Sequence, residues 1–82
     1  MNPKRVDRIP VKYREAVKSE LEEFATAVRR KREAAGLTQE GLAEDLGIDP
    51  QTISYIEQKR RFPSLPLLFT ICLRLGIKIQ FK

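Results

Sequence analysis

The sequence predicts an all-α fold, a compact set of four to five helices around a single core. Apolar residues recur at steps of three and four through most of the 82-residue chain, which is how residues line one face of a helix. Capping side chains, glycines and prolines divide this pattern into segments. The last six residues alternate apolar and polar, as a half-buried strand does. We therefore expect a helical domain that ends in one short β-strand.

The first helix has two possible starts. Residues 19–22, Ser-Glu-Leu-Glu, have the form of a capping box, which would begin the helix at Ser19. Alternatively, Val17 continues the apolar stripe towards the N-terminus and Pro10 suits a first turn, so that the helix would begin near Val11. In both cases the helix is expected to end at about Ala35, because a glycine follows.

The second helix is short and ends in a tight turn. Thr38 can cap its start, and apolar residues keep to one face as far as Leu46. Gly47 can then adopt the left-handed conformation that closes a helix without a Cβ penalty. Ala43 is expected to be small because the next helix crosses closely there.

The third helix has a polar outer face. Asp49 can cap it, Pro50 occupies a first-turn position where its missing N–H does no harm, and Ile53 and Ile56 supply a buried edge. The helix is expected to run to about Gln58. The side chains left facing outward are Gln51, Thr52, Tyr55 and Gln58.

Ser64 and Pro66 predict the start of a fourth helix, which Gly76 ends. Its core candidates are Leu65, Leu68, Phe69, Cys72, Leu73 and Leu75. Cys72 is the single cysteine and is expected to be a small buried hydrophobe rather than a nucleophile.

Residues 24–75 resemble the phage-repressor and Cro-like helix-turn-helix family, also called the XRE family. The resemblance rests on Ala43, on Gly47 four residues later, and on the isoleucines six and nine residues after that glycine. Further signs are Leu37-Thr38-Gln39-Glu40, Ser54, Glu57 and Arg61-Phe62-Pro63-Ser64-Leu65. It implies a lambda-repressor-like domain whose third helix enters the major groove of DNA.

The resemblance and the helical spacing together assign roles to individual residues. Base contacts are expected from Gln51, Thr52 and Tyr55, and Gln51 leads because its amide can bond N6 and N7 of adenine together. Phosphate contacts are expected from Gln39, Ser54, Lys59, Arg60 and Arg61. In repressors of this type the arginine and glutamate that match Arg32 and Glu57 pair with each other, which implies a structural ion pair here.

The tail, residues 76–82, contains the alternating sequence Ile77-Lys78-Ile79-Gln80-Phe81-Lys82. A lone strand leaves its backbone donors and acceptors without partners. We expect the strand to pair with the same strand of a second copy, so that Ile77, Ile79 and Phe81 cover helices of both subunits. The alternative is an irregular tail. The ending resembles that of HipB-type antitoxins, in which C-terminal strands form an intersubunit lid.

Positive charge is concentrated at the start of the chain. Residues 1–18 contain six cations and two acids and contribute +4 of the net charge of +5. Residues 19–82 contain ten cations and nine acids and contribute +1. We therefore divide the chain into a basic extension at 1–18, a helix-turn-helix domain at 19–75 and the tail. If the first helix begins near Val11, the second half of the extension is helical. The extension either attracts phosphates or keeps the protein soluble. Within the domain, cations cluster at 29–32 and 59–61.

Several classes of protein are disfavoured. The chain has no histidine, no Cys/His cluster and no glycine-rich phosphate loop, so neither an enzyme nor a cofactor or metal site is expected. It has no apolar run long enough for a membrane span and no apolar signal-peptide core, which predicts a cytoplasmic protein without a membrane partner.

The leading hypothesis is a homodimeric transcriptional repressor that binds double-stranded DNA at an inverted-repeat operator. A narrower version is the antitoxin and autorepressor of a toxin–antitoxin operon, which would also bind a toxin or accessory protein. The alternative is a protein-interaction module that kept the fold and lost specific DNA binding. The basic cluster after the third helix argues against that alternative.

Overall fold

The structure, a computed structural model, describes residues 9–79. It contains four helices in that range: α1 (Val11–Ala34), α2 (Gln39–Leu46), α3 (Pro50–Glu57) and α4 (Leu65–Leu75). The prediction of an all-α domain is confirmed. Helices α2 and α3 pack on each other, and α1 packs against both α3 and α4.

Helix α1 takes the earlier of its two possible starts. It begins at Val11 directly after Pro10, and the Tyr13 amide donates to the Pro10 carbonyl at 2.9 Å. Ser19 lies exposed inside the helix, so the capping-box interpretation of residues 19–22 is wrong. A serine can cap only where the helix begins, and here the amides around Ser19 already lie within a continuous helix.

The caps of α2 and α3 form as the sequence predicts. The Thr38 hydroxyl accepts from the Gly41 amide at 2.9 Å, and Asp49 Oδ1 accepts from the Gln51 amide at 2.8 Å. Gly47 has φ 69°, and the Ile48 amide donates back to the Ala43 carbonyl at 3.0 Å. These bonds fix the turn between the two helices within a few residues of chain.

The core joins all four helices. Ala43, Ile53 and Ile56 are fully buried, which confirms the predicted contact between α2 and α3. The core cluster also contains Val28, Leu42, Ile71 and Leu75, with Phe24, Leu37, Leu46, Ile48, Leu67 and Ile77 packed around it. Ile71 is a core residue that the periodicity of α4 did not identify.

The side of helix α4 that is buried differs from the predicted one. Cys72 and Leu75 are buried and Leu68 is half-buried, but Leu65, Phe69 and Leu73 are 69%, 42% and 86% exposed. Their prediction as core residues is wrong. Since a helix turns 100° per residue, these three side chains lie roughly 110° around the helix from the side that packs on the core. Because α4 is apolar on almost every side, its sequence pattern could not single out the buried face.

The described part of the tail is irregular in the single chain. Ile77 is half-buried against the core and Ile79 is 38% exposed. Gln80, Phe81 and Lys82 lie outside the described residues, as do residues 1–8 of the basic extension. Pairing of the tail with a second copy therefore stays a prediction.

Two further features concern residues 9–79 alone. None of the four helices there has both the length and the apolar character needed to cross a membrane. In the same range, no three His, Cys, Asp or Glu side chains are grouped as metal ligands would be.

Candidate nucleic-acid interface

Helix α3 is held by its buried edge and presents a polar surface. Ile53 and Ile56 anchor it in the core. On the other side Gln51 and Gln58 are exposed, whereas Thr52, Ser54 and Tyr55 are half-buried. The three residues expected to contact bases, Gln51, Thr52 and Tyr55, thus share the accessible side of one helix.

The structure joins two of these residues directly. Gln51 Nε2 donates a hydrogen bond to the Tyr55 hydroxyl at 2.8 Å, across one turn of the helix. The amide keeps its oxygen and its second N–H for other partners. These are the acceptor and the donor that a bidentate contact with adenine needs. A similar bond joins Gln58 Nε2 to Ser54 Oγ at 2.9 Å.

Arg61 lies against the same surface. Its guanidinium carbon is 5.4 Å from the centre of the Tyr55 ring, within the range of a cation–π contact. The backbone amides of Arg60 and Arg61 both donate hydrogen bonds to the Tyr55 carbonyl, at 2.8 and 3.3 Å. The chain that leaves α3 therefore folds back beside Tyr55 and places a cation against its ring.

Lys59 lies on another side of the domain. Its φ of 64° makes it the one described non-glycine residue with a left-handed backbone, and its amide donates to the Ile56 carbonyl at 3.0 Å. With Arg30 and Lys31 of α1 it lines a shallow depression that also includes Glu22 and Glu23. The structure thus groups Lys59 with the cations of α1 and groups Arg61 with Tyr55.

Arg32 and Glu57 form a buried ion pair between α1 and α3. Arg32 Nε donates to Glu57 Oε2 at 2.7 Å, and Nη2 donates to Oε1 at 3.0 Å. The side chains are only 11% and 5% exposed. The remaining Arg32 Nη1 donates to the Leu37 carbonyl at 2.8 Å. Hydrogen bonding to Glu57 raises the pKa of Arg32 against the opposing effect of burial, so the guanidinium stays charged.

Gln39 belongs to the same network. Its Nε2 donates to Glu57 Oε1 at 3.3 Å, so the first residue of α2 is tied to α3 through an oxygen that Arg32 also uses. The sequence suggested a phosphate contact for Gln39 and did not suggest this bond. Because Gln39 and Glu57 are 18 positions apart, no local pattern links them.

A second ion pair was not foreseen from the sequence. Arg74 Nε of α4 donates to Asp45 Oδ2 of α2 at 3.0 Å, and Arg74 Nη2 lies 3.0 Å from the same oxygen. The two side chains are 40% and 45% exposed, so the pair is worth at most about 1 kcal/mol. It joins α4 to α2.

Comparison with known proteins gives a consistent result. Residues 28–82 match the family described as "Helix-turn-helix". One relative is an "uncharacterized HTH-type transcriptional regulator" from Methanocaldococcus jannaschii. The two sequences are 50% identical over 44 residues, which cover 54% of this chain and 67% of the relative. A second "uncharacterized HTH-type transcriptional regulator", from Methanothermobacter thermautotrophicus, is 47% identical over 51 residues. These residues cover 62% of this chain and 74% of the relative. No solved structure matches the chain significantly.

Proposed function

Because the chain belongs to the phage-repressor-like (XRE) helix-turn-helix family, we propose that it is a transcriptional regulator that binds double-stranded DNA in a sequence-specific way. The observation that carries the proposal is the surface of α3. Gln51 and Tyr55 form a hydrogen-bonded pair there, with the Arg61 cation against the Tyr55 ring. A helix of this kind fits the major groove, where base edges meet amides and backbone phosphates meet cations.

Base selection falls to the first and middle residues of α3. Gln51 uses its amide oxygen and its second N–H on adenine, while Tyr55 holds the amide by the 2.8 Å bond. Thr52, one residue after Gln51, meets a thymine methyl. Each good bidentate contact of this kind discriminates between bases by about 1 to 3 kcal/mol.

Phosphate contacts position the helix without selecting bases. Arg60 and Arg61 follow α3 directly, and both are exposed. Lys59, on the α1 side, lies close enough to Arg30 and Lys31 to add to a second basic region, although two glutamates there reduce its charge. Ser54 and Gln39 add neutral donors, and Gln39 can approach a phosphate through its second N–H while it stays bonded to Glu57.

The regulator acts as a homodimer that represses by occupying an inverted repeat. A two-fold axis presents α3 of each copy to half-sites about 34 Å apart, roughly one turn of B-DNA. The alternating tail is the feature of the sequence that supports a second copy, because its strand needs a partner. A narrower form of the proposal is an antitoxin that represses its own operon and also binds a toxin or accessory protein, which the resemblance of the tail to HipB-type endings favours.

Selection of binding sites from a random duplex library tests the proposal. The full chain at near-physiological salt should enrich an inverted repeat with half-sites about one helical turn apart. Gln51→Ala should relax the preference at one position of each half-site, whereas Arg61→Ala should weaken all sequences about equally. Selection without enrichment would contradict specific DNA binding and favour a protein-interaction module. An unchanged site preference in Gln51→Ala would show that the base-contacting surface lies elsewhere.

A further inference from the structure

Gln58, directly after α3, makes a side-chain contact that repeats the one made by Gln51. Gln58 Nε2 donates to Ser54 Oγ at 2.9 Å, and Gln51 Nε2 donates to the Tyr55 hydroxyl at 2.8 Å. Each bond spans four residues, and both glutamines are exposed. The surface of α3 therefore carries two exposed amides, each joined to a hydroxyl one turn away.

We propose that Gln58 is a second base-contacting glutamine, which selects an adenine two or three base pairs from the one that Gln51 contacts. The inference rests on the proposed function and deepens it, since it adds one selected position to each half-site. Ser54 holds the amide of Gln58 as Tyr55 holds that of Gln51.

The side chains of Gln51 and Gln58 leave the same side of the helix. They are seven residues apart, and seven residues come within about 20° of two full turns. The Gln58 backbone amide donates to the carbonyl four residues earlier at 3.0 Å, so helical hydrogen bonding extends to this residue and sets its direction. Tyr55 lies about 40° from Gln51, and the buried Ile53 and Ile56 lie on the opposite side. Gln51, Tyr55 and Gln58 thus form one row along the accessible side.

The distance between the two glutamines fits the spacing of base pairs. Seven residues of helix advance about 10.5 Å. This length equals about three base-pair steps of 3.4 Å along the DNA axis, and about two steps along the inclined path of the groove. The major groove, about 12 Å wide, admits an α-helix. A helix that lies along it therefore brings the two amides to different base pairs of one half-site.

The bond to Ser54 leaves Gln58 able to make a bidentate contact. An amide has one oxygen and two N–H groups, and Ser54 occupies one N–H. The oxygen and the second N–H match N6 and N7 of adenine. If the amide turns over, the serine hydroxyl donates to the oxygen, which has a second lone pair. Gln58 therefore keeps an acceptor and a donor for adenine in both orientations.

The absence of charge on the row favours base edges over phosphates. A phosphate oxygen accepts hydrogen bonds only, so it would use an N–H of Gln58 and leave the amide oxygen without a donor. The exposed Arg60 and Arg61 follow in the chain and meet phosphates with a full charge. Neutral amides also lose less than cations do when a contact excludes water. Gln58 is thus suited to the contact that the two arginines are not needed for.

Selection of binding sites with Gln58→Ala, in the full chain at near-physiological salt, tests the inference. The variant should lose its preference for adenine at one position of each half-site, two or three base pairs from the position that Gln51→Ala relaxes. The affinity ratio between adenine and the other bases there should fall by about five-fold or more. Arg61→Ala is the control for a contact that only positions the helix, and it should weaken all sequences about equally. Circular dichroism should show the same helix content in all variants, because these side chains are exposed.

Replacement of the selected adenine by 7-deazaadenine tests the contact itself. This base lacks the N7 acceptor, so it should weaken binding of the wild type several-fold and leave binding of Gln58→Ala unchanged. Equal weakening of both proteins would show that Gln58 does not contact this base. Uniform weakening of all sequences by Gln58→Ala, or relaxation at the same position as in Gln51→Ala, would also overturn the inference.

The same selections separate this inference from the proposed function. If the wild type enriches a sequence that Gln51→Ala relaxes and Gln58→Ala does not, the proposed function stands and the inference fails. If the wild type enriches no sequence, both fail.

Discussion

Removal of one partner from the buried ion pair between Arg32 and Glu57 should destabilise the domain far more than removal of one partner from an exposed pair. Glu57→Gln keeps the shape of the side chain but removes its charge and turns one acceptor oxygen into a donor. One of the two bonds from Arg32, at 2.7 and 3.0 Å, is then lost, and Gln39 loses its acceptor or shares the remaining one. Removal of one partner from a buried pair costs about 3 to 5 kcal/mol. We expect the lower value, because Arg32 keeps its bond to the Leu37 carbonyl.

Urea unfolding followed by circular dichroism measures this loss, and Glu33→Gln is the control. Glu33 pairs with Arg29 at 3.4 Å with both side chains more than half exposed, so its loss should change the free energy of unfolding by about 0.5 kcal/mol or less. For a domain of this size, 3 kcal/mol corresponds to about 12 to 24 °C in Tm. The double variant Arg32→Met with Glu57→Leu should recover most of the loss, because no unpaired charge remains. A loss below about 1 kcal/mol for Glu57→Gln would refute the reasoning.

Three further outcomes are expected. Lys59→Gly should raise the free energy of unfolding by up to about 1 kcal/mol, because φ is 64° there and glycine adopts this conformation without strain. A lower free energy of unfolding, measured in urea, would contradict this expectation. Burial raises the pKa of the Cys72 thiol, so the native state holds its proton at pH values where the unfolded chain releases it, and stability should fall as pH rises above about 8.5. Iodoacetamide should accordingly modify Cys72 much more slowly in native than in unfolded protein, and equal rates would disprove the protection. Deletion of residues 1–8, which carry three cations and one acid, should lower DNA affinity and its salt dependence with little change in site preference; an unchanged salt dependence would rule out a phosphate role for this segment.

Local signals explain what the sequence could predict. The bounds of α2 and the start of α3 follow from Thr38, Gly47 and Asp49, each of which acts within four residues of its own position. Where a signal is ambiguous, the prediction fails. Ser19 opens a sequence of capping-box form but lies in a helix that begins eight residues earlier, which only Val17 and Pro10 indicated.

Long-range packing accounts for the rest. Helix α4 is apolar on almost every side, so the choice of Ile71 for the core and of Leu73 for the surface depends on where the other helices lie. The candidate site shows the same limit. Gln51 and Tyr55 could be named one by one from their position on α3, but their hydrogen bond, and the bond from Gln39 to Glu57, depend on side-chain conformations that no sequence pattern specifies.

The hydrogen bond between Gln51 and Tyr55 has a thermodynamic consequence for recognition. A long glutamine side chain normally loses rotamer freedom when a ligand immobilises it, at about 0.5 to 1.5 kcal/mol. Here that loss has largely occurred before any ligand arrives, because the 2.8 Å bond already holds the amide against the ring that Arg61 covers. A preorganised amide gains affinity for a base that matches its orientation. If the amide turns over, the Tyr55 hydroxyl can donate to the amide oxygen instead, so the contact with Tyr55 favours affinity more than it favours discrimination between bases.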